Sequence, residues 1–146
     1  MCVSGTTLNN TKTYTDNNHG TVTHLESGLI WQKCNLGENN DSSCSGTAST
    51  VLWNVALSSC NSLSLKGKTW RLPNILELNS IVDRTIQNPA SNTTVFPTIK
   101  FAGTNYASST TYTGNALNDF TINFSDGAVS SSIAKTTAQL VKCVSN

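Results

Sequence analysis

The chain has 146 residues, which is enough for one domain with a single sizeable core. Only 12% of the residues are charged, the net charge is +1, and lysines and arginines never form a run, which excludes an electrostatic surface for nucleic acid or anionic membranes. The sequence contains no apolar stretch of the roughly 18 residues that a membrane-spanning helix needs. Serine, threonine and asparagine account for 58 residues, and these small hydrogen-bonding side chains favour turns and strands.

The N-terminal segment differs from the rest of the chain. Residues 1–14 show no apolar periodicity, so we predict a tail or linker there and a single domain over residues 15–146. Five cysteines are typical of an oxidising compartment, and the odd number leaves one without a partner. Cys2 follows Met1 directly, where the lipid-modified cysteine of a lipoprotein would lie if Met1 replaced a cleaved signal peptide. The alternative is an unpaired thiol in the tail.

A β-hairpin is predicted at the start of the domain. It has a strand around Val22, a turn at Ser27 and Gly28, and a second strand over residues 29–31. The following residues, up to Ser49, have the composition of a polar loop. A local disulfide between Cys34 and Cys44 would tether this loop.

Two helices are predicted in the middle of the chain. Asn74, three residues before Glu77 and just after Pro73, forms a capping-box pattern that opens the second helix. Ser49 or Thr50 is available as N-cap of the first helix. Residues at the spacing of one apolar face define the first helix (Trp53, Ala56, Leu57, Cys60 and Leu63) and the second (Ile75, Leu78 and Val82).

The last third of the chain predicts strands. Phe120, Ile122 and Phe124 alternate with polar residues, residues 126–127 form a tight turn, and residues 139–144 alternate again. The order of elements predicts an α+β fold, rich in loops, with the two chain ends in one sheet.

Cys143 shares a face of the last predicted strand with Val141, and Cys60 lies on the core face of the first helix. A helix core face that meets a strand core face favours a structural disulfide between Cys60 and Cys143. The alternative is a reactive cysteine pair in a redox or copper site.

An ordered set of motifs resembles the Lcl C-terminal domain family, named for the terminal domain of a collagen-like bacterial adhesin. The motifs are GTVTHLESGLIWQK at 20–33, WNVALSSCNSL at 53–63, TWRLPNILEL at 69–78, FP at 96–97, YASSTT at 106–111, INFSDG at 122–127 and VKCV at 141–144. The resemblance implies a C-type-lectin-like domain with two helices packed on a twisted antiparallel sheet, similar also to formylglycine-generating enzymes. It implies surface or secreted adhesins, some binding glycosaminoglycans and some trimeric. The chain departs from the family at His24, where the family has Asp, and at Ala107, where it has Trp.

The long irregular segment after Asp83 is the predicted binding region, since segments of this length without regular structure are often functional. Within residues 101–119, tyrosine and asparagine side chains favour an adaptable recognition surface. The candidate ligand-binding residues are Asn105, Tyr106, Tyr112, Asn115, Asn118 and Asp119. By contrast, Trp31, Trp53 and Trp70 lie in predicted strands or helices and are expected in the core.

A basic patch of Lys66, Lys68 and Arg71 is the alternative binding site, since anionic glycans would need such a cluster. Arg71 could instead form an ion pair with Glu77.

Metal and catalytic sites are not predicted. His19 and His24 are expected on opposite faces of their segment, which disfavours a shared metal. Calcium remains an alternative because several side chains offer hard oxygen donors, although the sequence lacks the signatures of calcium-dependent sugar sites. These donors are Asp16, Asn17, Asn18, Asp119 and Asp126. The hydroxyls of residues 108–110 have no base nearby in sequence, so no catalytic residues are assigned.

These observations favour a secreted or surface-anchored binding and adhesion domain that recognises a glycan, a glycosaminoglycan or an extracellular protein. We expect no enzymatic activity, no nucleic-acid partner, and membrane contact only through a lipid anchor. Two alternatives stay open: an enzyme of the formylglycine-generating type, and a structural subunit of a surface assembly that forms a homo-oligomer.

Overall fold

A computed structural model describes residues 12–146, which form two antiparallel sheets and two helices. The strands are β1 (Tyr14–Asn18), β2 (Thr21–His24), β3 (Ile30–Gln32), β4 (Tyr106–Thr111), β5 (Asn118–Asn123), β6 (Ala128–Ala134) and β7 (Val144–Ser145). The helices are α1 (Trp53–Asn61) and α2 (Ile75–Ser80). Neither helix has the length and apolar character needed to cross a membrane. The predicted lipidation site, Cys2, lies outside the described residues.

The α+β class is confirmed, but the expectation of one twisted sheet is wrong. One sheet has the order β1-β2-β3-β7 and so contains both the first and the last strand, as predicted, at its two edges. A second sheet has the order β4-β5-β6. Residues 139–143 separate the two sheets: the Leu36 N–H donates to the carbonyl of Val141 on one side, and the Ala107 N–H donates to that of Leu140 on the other. Because the hydrogen bonds of this segment to the chain on either side are irregular, the regular strand, β7, begins only at Val144.

The helices begin differently. The predicted capping box of α2 is confirmed: the Asn74 side chain accepts from the Glu77 N–H at 2.8 Å, and the Glu77 carboxylate accepts from the Asn74 N–H at 2.9 Å. The prediction that Ser49 or Thr50 caps α1 is wrong, since Leu52 is the N-cap and provides no side-chain bond. Backbone bonds between Val51 and Gln139 hold the preceding chain in a bridge.

Two apolar clusters fill the interior. Trp31 belongs to the cluster between α2 and the sheets, and Trp70 belongs to the cluster that includes both α1 and the final segment. Both indoles are buried, as predicted. Trp53 is only half-buried: its ring lies 3.9 Å below the ammonium of Lys135.

Both predicted disulfides are present. Cys34–Cys44 closes the polar loop after β3, and Cys60–Cys143 joins α1 to the final segment across a sequence separation of 83 residues. Cys60 and Cys143 are completely buried. The two sulfurs of this pair are therefore bonded to each other in the core, where they join two apolar faces.

Candidate ligand-binding cleft

A cleft of about 530 Å³ opens between the disulfide-closed loop and the segment that leads into β4. It is lined by Gly46, Thr47, Ala48, Pro97, Thr98, Ile99, Lys100, Phe101, Ala102, Thr104 and Leu140. Ile99 and Leu140 form a buried apolar floor, the Phe101 ring is half-buried, and Lys100 is exposed. A concave surface of this size that combines apolar contact, one ring and one cation can accept a small ligand or a protruding side chain.

Buried hydrogen bonds fix one wall of the cleft from below. The Asn35 side chain donates to the backbone carbonyl of Thr98 at 2.8 Å and to Glu38 Oε1 at 3.2 Å. The Thr98 hydroxyl donates to Glu38 Oε2 at 2.7 Å. Glu38 also pairs through its backbone with Gly46, so one buried carboxylate connects both walls. The cleft is thus held in shape without a ligand, which lowers the entropic cost of binding.

Tyr106 completes this support from inside the core. Its hydroxyl donates to Asn35 Oδ1 at 2.7 Å and accepts from the Lys100 N–H at 3.0 Å. Burial raises the pKa of the Tyr106 phenol well above its ordinary value, so the hydroxyl keeps the proton that it donates. Tyr106 therefore positions the cleft loop from the interior.

The predicted exposure of the 101–119 segment is wrong at two of the candidate ligand-binding residues. Tyr106 and Asp119 are each 0% exposed, because β4 and β5 pair with each other and bury these side chains. The sequence around Tyr106 shows no apolar alternation, since small hydroxyl residues occupy most of β4. The burial of these strands results from pairing partners that lie far away in the chain.

Three of the other four candidates, Tyr112, Asn115 and Asn118, share one turn whose backbone groups bond to one another, and Asn105 lies elsewhere. Tyr112 is half-buried and its ring packs edge-on against Phe120, with centroids 5.4 Å apart. Asn115 is exposed in the turn before β5, and Asn118 donates to the Ser131 carbonyl at 3.0 Å. Asn105 lies away from this turn, in a second cleft.

This second cleft, of about 300 Å³, adjoins the first at Thr104. Its lining residues are Thr50, Gly103, Thr104, Asn105, Ile133, Thr137, Ala138 and Gln139. The loop from Phe101 to Asn105 therefore lies between two concave surfaces. Part of the predicted binding segment borders these clefts, while its turn at residues 112–117 does not.

The basic cluster is only partly available. Arg71 forms a bidentate ion pair with Glu77 through two contacts of 2.6 Å, which confirms the ion pair considered from the sequence. This pairing raises the pKa of Arg71 and lowers that of Glu77. Lys66 and Lys68 are exposed, and Lys68 borders a depression of about 280 Å³ together with Arg71.

The candidate calcium donors are dispersed. Asp16 in β1 binds the Lys33 ammonium at 2.7 Å, and this hydrogen bond lowers the pKa of the Asp16 carboxyl. Asn17 donates to the Thr23 hydroxyl, and Asn18 is the last residue of β1. Asp119 lies in β5, and Asp126 lies in the turn that follows this strand. The donors are therefore divided between the two sheets.

The two histidines also have different surroundings. His24 is buried and its Nδ1 lies 2.6 Å from the Ser27 hydroxyl, whereas His19 is exposed. Burial lowers the pKa of His24. Neither histidine belongs to the group of potential metal ligands found within residues 12–146, which consists of Cys34, Cys44 and Glu38, and both cysteines there are in a disulfide.

The hydroxyl residues 108–110 serve the fold. Ser108 is buried and donates to the Phe120 carbonyl at 2.5 Å, while the Thr110 hydroxyl accepts from the Ile75 N–H at 3.0 Å. Ser109 donates its N–H to the Pro73 carbonyl at 2.8 Å.

The sequence interpretation missed a buried lysine, Lys142. Its ammonium contacts the carbonyl oxygens of Gln32 and Lys33 at 3.3 and 2.8 Å, and burial lowers its pKa to about 7. The alternation that assigns residues 141 and 143 to one face also puts residue 142 on the opposite face, and in an interior segment both faces are buried. It missed Asn35 and Glu38 as well, since they lie in a segment with the composition of a loop.

Comparison with known proteins supports the motif assignment. A family model described as the Lcl C-terminal domain matches residues 20–145. A search of curated proteins finds no match for the chain. The matched region covers most of the chain and includes both clefts, both disulfides and both sheets from β2 onward. The chain belongs to the Lcl C-terminal domain family.

Proposed function

We propose that this protein is an extracellular or surface-attached adhesion domain that holds its ligand in the cleft between residues 46–48 and 97–104. The observation that carries this proposal is the buried support of the cleft by Asn35, Glu38 and Tyr106. Scaffolds that hold loops in one conformation are suited to recognition. Membership of the Lcl C-terminal family and the two disulfides support a surface location.

A glycan or an extracellular protein fits the cleft best. The hydroxyl groups of Thr47 and Thr104 offer hydrogen bonds, the Phe101 ring offers a flat apolar contact, and Lys100 offers a positive charge. A C-type-lectin-like arrangement and a lipid anchor on Cys2 belong to the same proposal. The buried Cys60–Cys143 disulfide favours a structural role of these cysteines over the chemistry of a formylglycine-generating enzyme.

Binding of the chain to an array of glycans that includes heparin and chondroitin sulfate, and to a panel of matrix proteins, tests this function. Thr47→Tyr would fill the cleft from an exposed position without adding charge, and we expect at least a tenfold loss of affinity. Thr113→Tyr is the matched control, because it makes the same change in the exposed turn after β4. Binding that Thr113→Tyr weakens and Thr47→Tyr leaves intact would move the site to the originally predicted turn.

The same measurements separate the alternatives. If no glycan or protein binds and light scattering shows a stable oligomer, the chain is a structural subunit. A Cys2→Ser variant in which Cys60 and Cys143 titrate as free thiols in denaturant would instead support a redox enzyme.

A further inference from the structure

Three buried oxygen atoms near the second cleft have no hydrogen-bond partner within residues 12–146. They are Asp119 Oδ2, Thr121 Oγ1 and Gln139 Oε1. The three residues are at most 1% exposed. Unpartnered buried oxygens are rare in native proteins, and a group of three calls for a partner from solution, which is water, an ion or a proton.

The topology places the three residues next to one another. Asp119 and Thr121 alternate along β5 and so share one face of the sheet. Thr121 pairs across the sheet with Ala107, whose N–H bonds to Leu140, so residue 139 lies beside β4. From there the Gln139 side chain reaches across and donates to Asp119 Oδ1 at 2.9 Å.

The Asp119 carboxylate lacks a counter-charge in contact with it. The ion pairs found in the described part of the chain do not include Asp119. Lys135 bonds instead to the Thr111 hydroxyl at 2.8 Å and lies over the Trp53 ring. A buried carboxylate without a counter-charge is costly, so it binds either a proton or a cation.

We propose that Asp119, Thr121 and Gln139 bind one hard cation of about the size of calcium or sodium. Carboxylate, hydroxyl and amide oxygens are the ligands that such ions prefer. Gln139 also lines the second cleft beside Thr50, Thr104 and Asn105, from which water can complete the coordination. With a single carboxylate the affinity for Ca²⁺ should be weak, about 10⁻⁴–10⁻³ M, as in extracellular modules. This site is separate from the proposed ligand cleft.

Thermal unfolding of the whole chain tests the site. The protein is treated with chelator and exchanged into choline chloride, and CaCl₂ or NaCl then replaces choline at constant ionic strength. We expect one of these salts to raise the Tm by about 2–5 °C. Asp119→Asn should abolish the increase. The control Asp126→Asn removes the same charge from an exposed turn and should keep the response.

Two results would overturn the proposal: no ion raises the Tm of the wild type, or Asp119→Asn responds as the wild type does. If Asp119→Asn does not fold, Thr121→Val removes only the hydroxyl oxygen and should raise the half-effect concentration about three- to tenfold. A wild type that ignores ions but loses stability on raising the pH, in a way that Asp119→Asn removes, would show a protonated Asp119, and the cation site would be wrong.

Discussion

Glu38 and Asp119 are both buried carboxyl groups beside a buried amide side chain, yet their surroundings differ. Both oxygens of Glu38 accept hydrogen bonds from Asn35 or Thr98. Asp119 accepts one side-chain hydrogen bond, from Gln139, and backbone N–H groups of Ser108 and Asp119 also interact with its carboxylate, while three oxygens of the cluster stay unpartnered. The Glu38 cluster is complete within the chain and stabilises the cleft, whereas the Asp119 cluster needs something from solution. Substitutions in the two clusters should therefore have opposite consequences.

The largest effect is expected from Asn35→Leu in the complete cluster. This change would leave Glu38 Oε1 and the Thr98 carbonyl without this donor and the Tyr106 hydroxyl without its acceptor, at a cost of about 3–5 kcal/mol in unfolding free energy. Urea denaturation measures the loss. Asn39→Leu, at an exposed position of the same loop, is the control and should cost below about 1 kcal/mol. Equal losses would show that the cluster contributes nothing specific.

The next largest effect concerns Lys142, the buried charge behind the cleft. Its folded pKa of about 7 lies below the ordinary 10.5, so between these values the unfolded chain holds more protons and stability rises with pH. From pH 7 to 9.5 we expect an increase of about 2–3 kcal/mol. Burial raises the pKa of Tyr14 and Tyr106, which reverses the trend above pH 10.

Lys142→Met should flatten this rise of stability between pH 7 and 9.5. The unfolding free energies of both proteins at several pH values would measure the difference. A wild-type profile that is flat from pH 7 to 9.5 would contradict the expectation, because it would mean that Lys142 keeps an ordinary pKa in the folded state.

A smaller effect is expected from Thr98→Val. This nearly isosteric change removes the hydroxyl that donates to Glu38 Oε2 and should cost about 1–2 kcal/mol. Because the same hydroxyl supports the cleft wall, ligand affinity should also fall. Chemical denaturation and binding to the ligand found in the array measure the two quantities. A fully stable variant would indicate that water replaces the hydroxyl.

The smallest effect, with the opposite sign, is expected from Thr121→Val. In choline buffer without metal ions the Thr121 hydroxyl has no partner, so its removal should leave stability unchanged or raise it by up to about 1 kcal/mol. The same denaturation series as for Thr98→Val gives the comparison. A loss of about 1–2 kcal/mol for Thr121→Val would mean that its hydroxyl is already bonded.

Local signals in the sequence predicted local structure well. The capping box at Asn74, the hairpin of β2 and β3, and both disulfides follow from residues that lie close together or on a regular face. The pairing of β4 with β5 could not be predicted, since YASSTT lacks an apolar alternation and its register depends on a distant partner. β6 was missed for a similar reason: its run of serines hides the strand.

The candidate cleft shows the same limit. Its walls come from residues 46–48 and 97–104, which have no periodicity, and a buried cluster led by Asn35 brings them together. Residues 101–105 of the predicted binding segment border the two clefts, whereas Tyr106, a predicted ligand contact, is buried. A tyrosine in a polar segment can equally direct its ring into a core, and the sequence alone does not separate these cases.

The Cys60–Cys143 disulfide also determines how the chain carries mechanical load. Tension applied through the two ends passes across the sulfur–sulfur bond, so residues 61–142 form a covalent loop that bears none of it. Residues 97–104, one wall of the cleft, lie inside this loop, whereas residues 46–48 lie in the loaded part of the chain. A pull on the molecule is therefore resisted at the cleft by the hydrogen bonds and packing between its two walls.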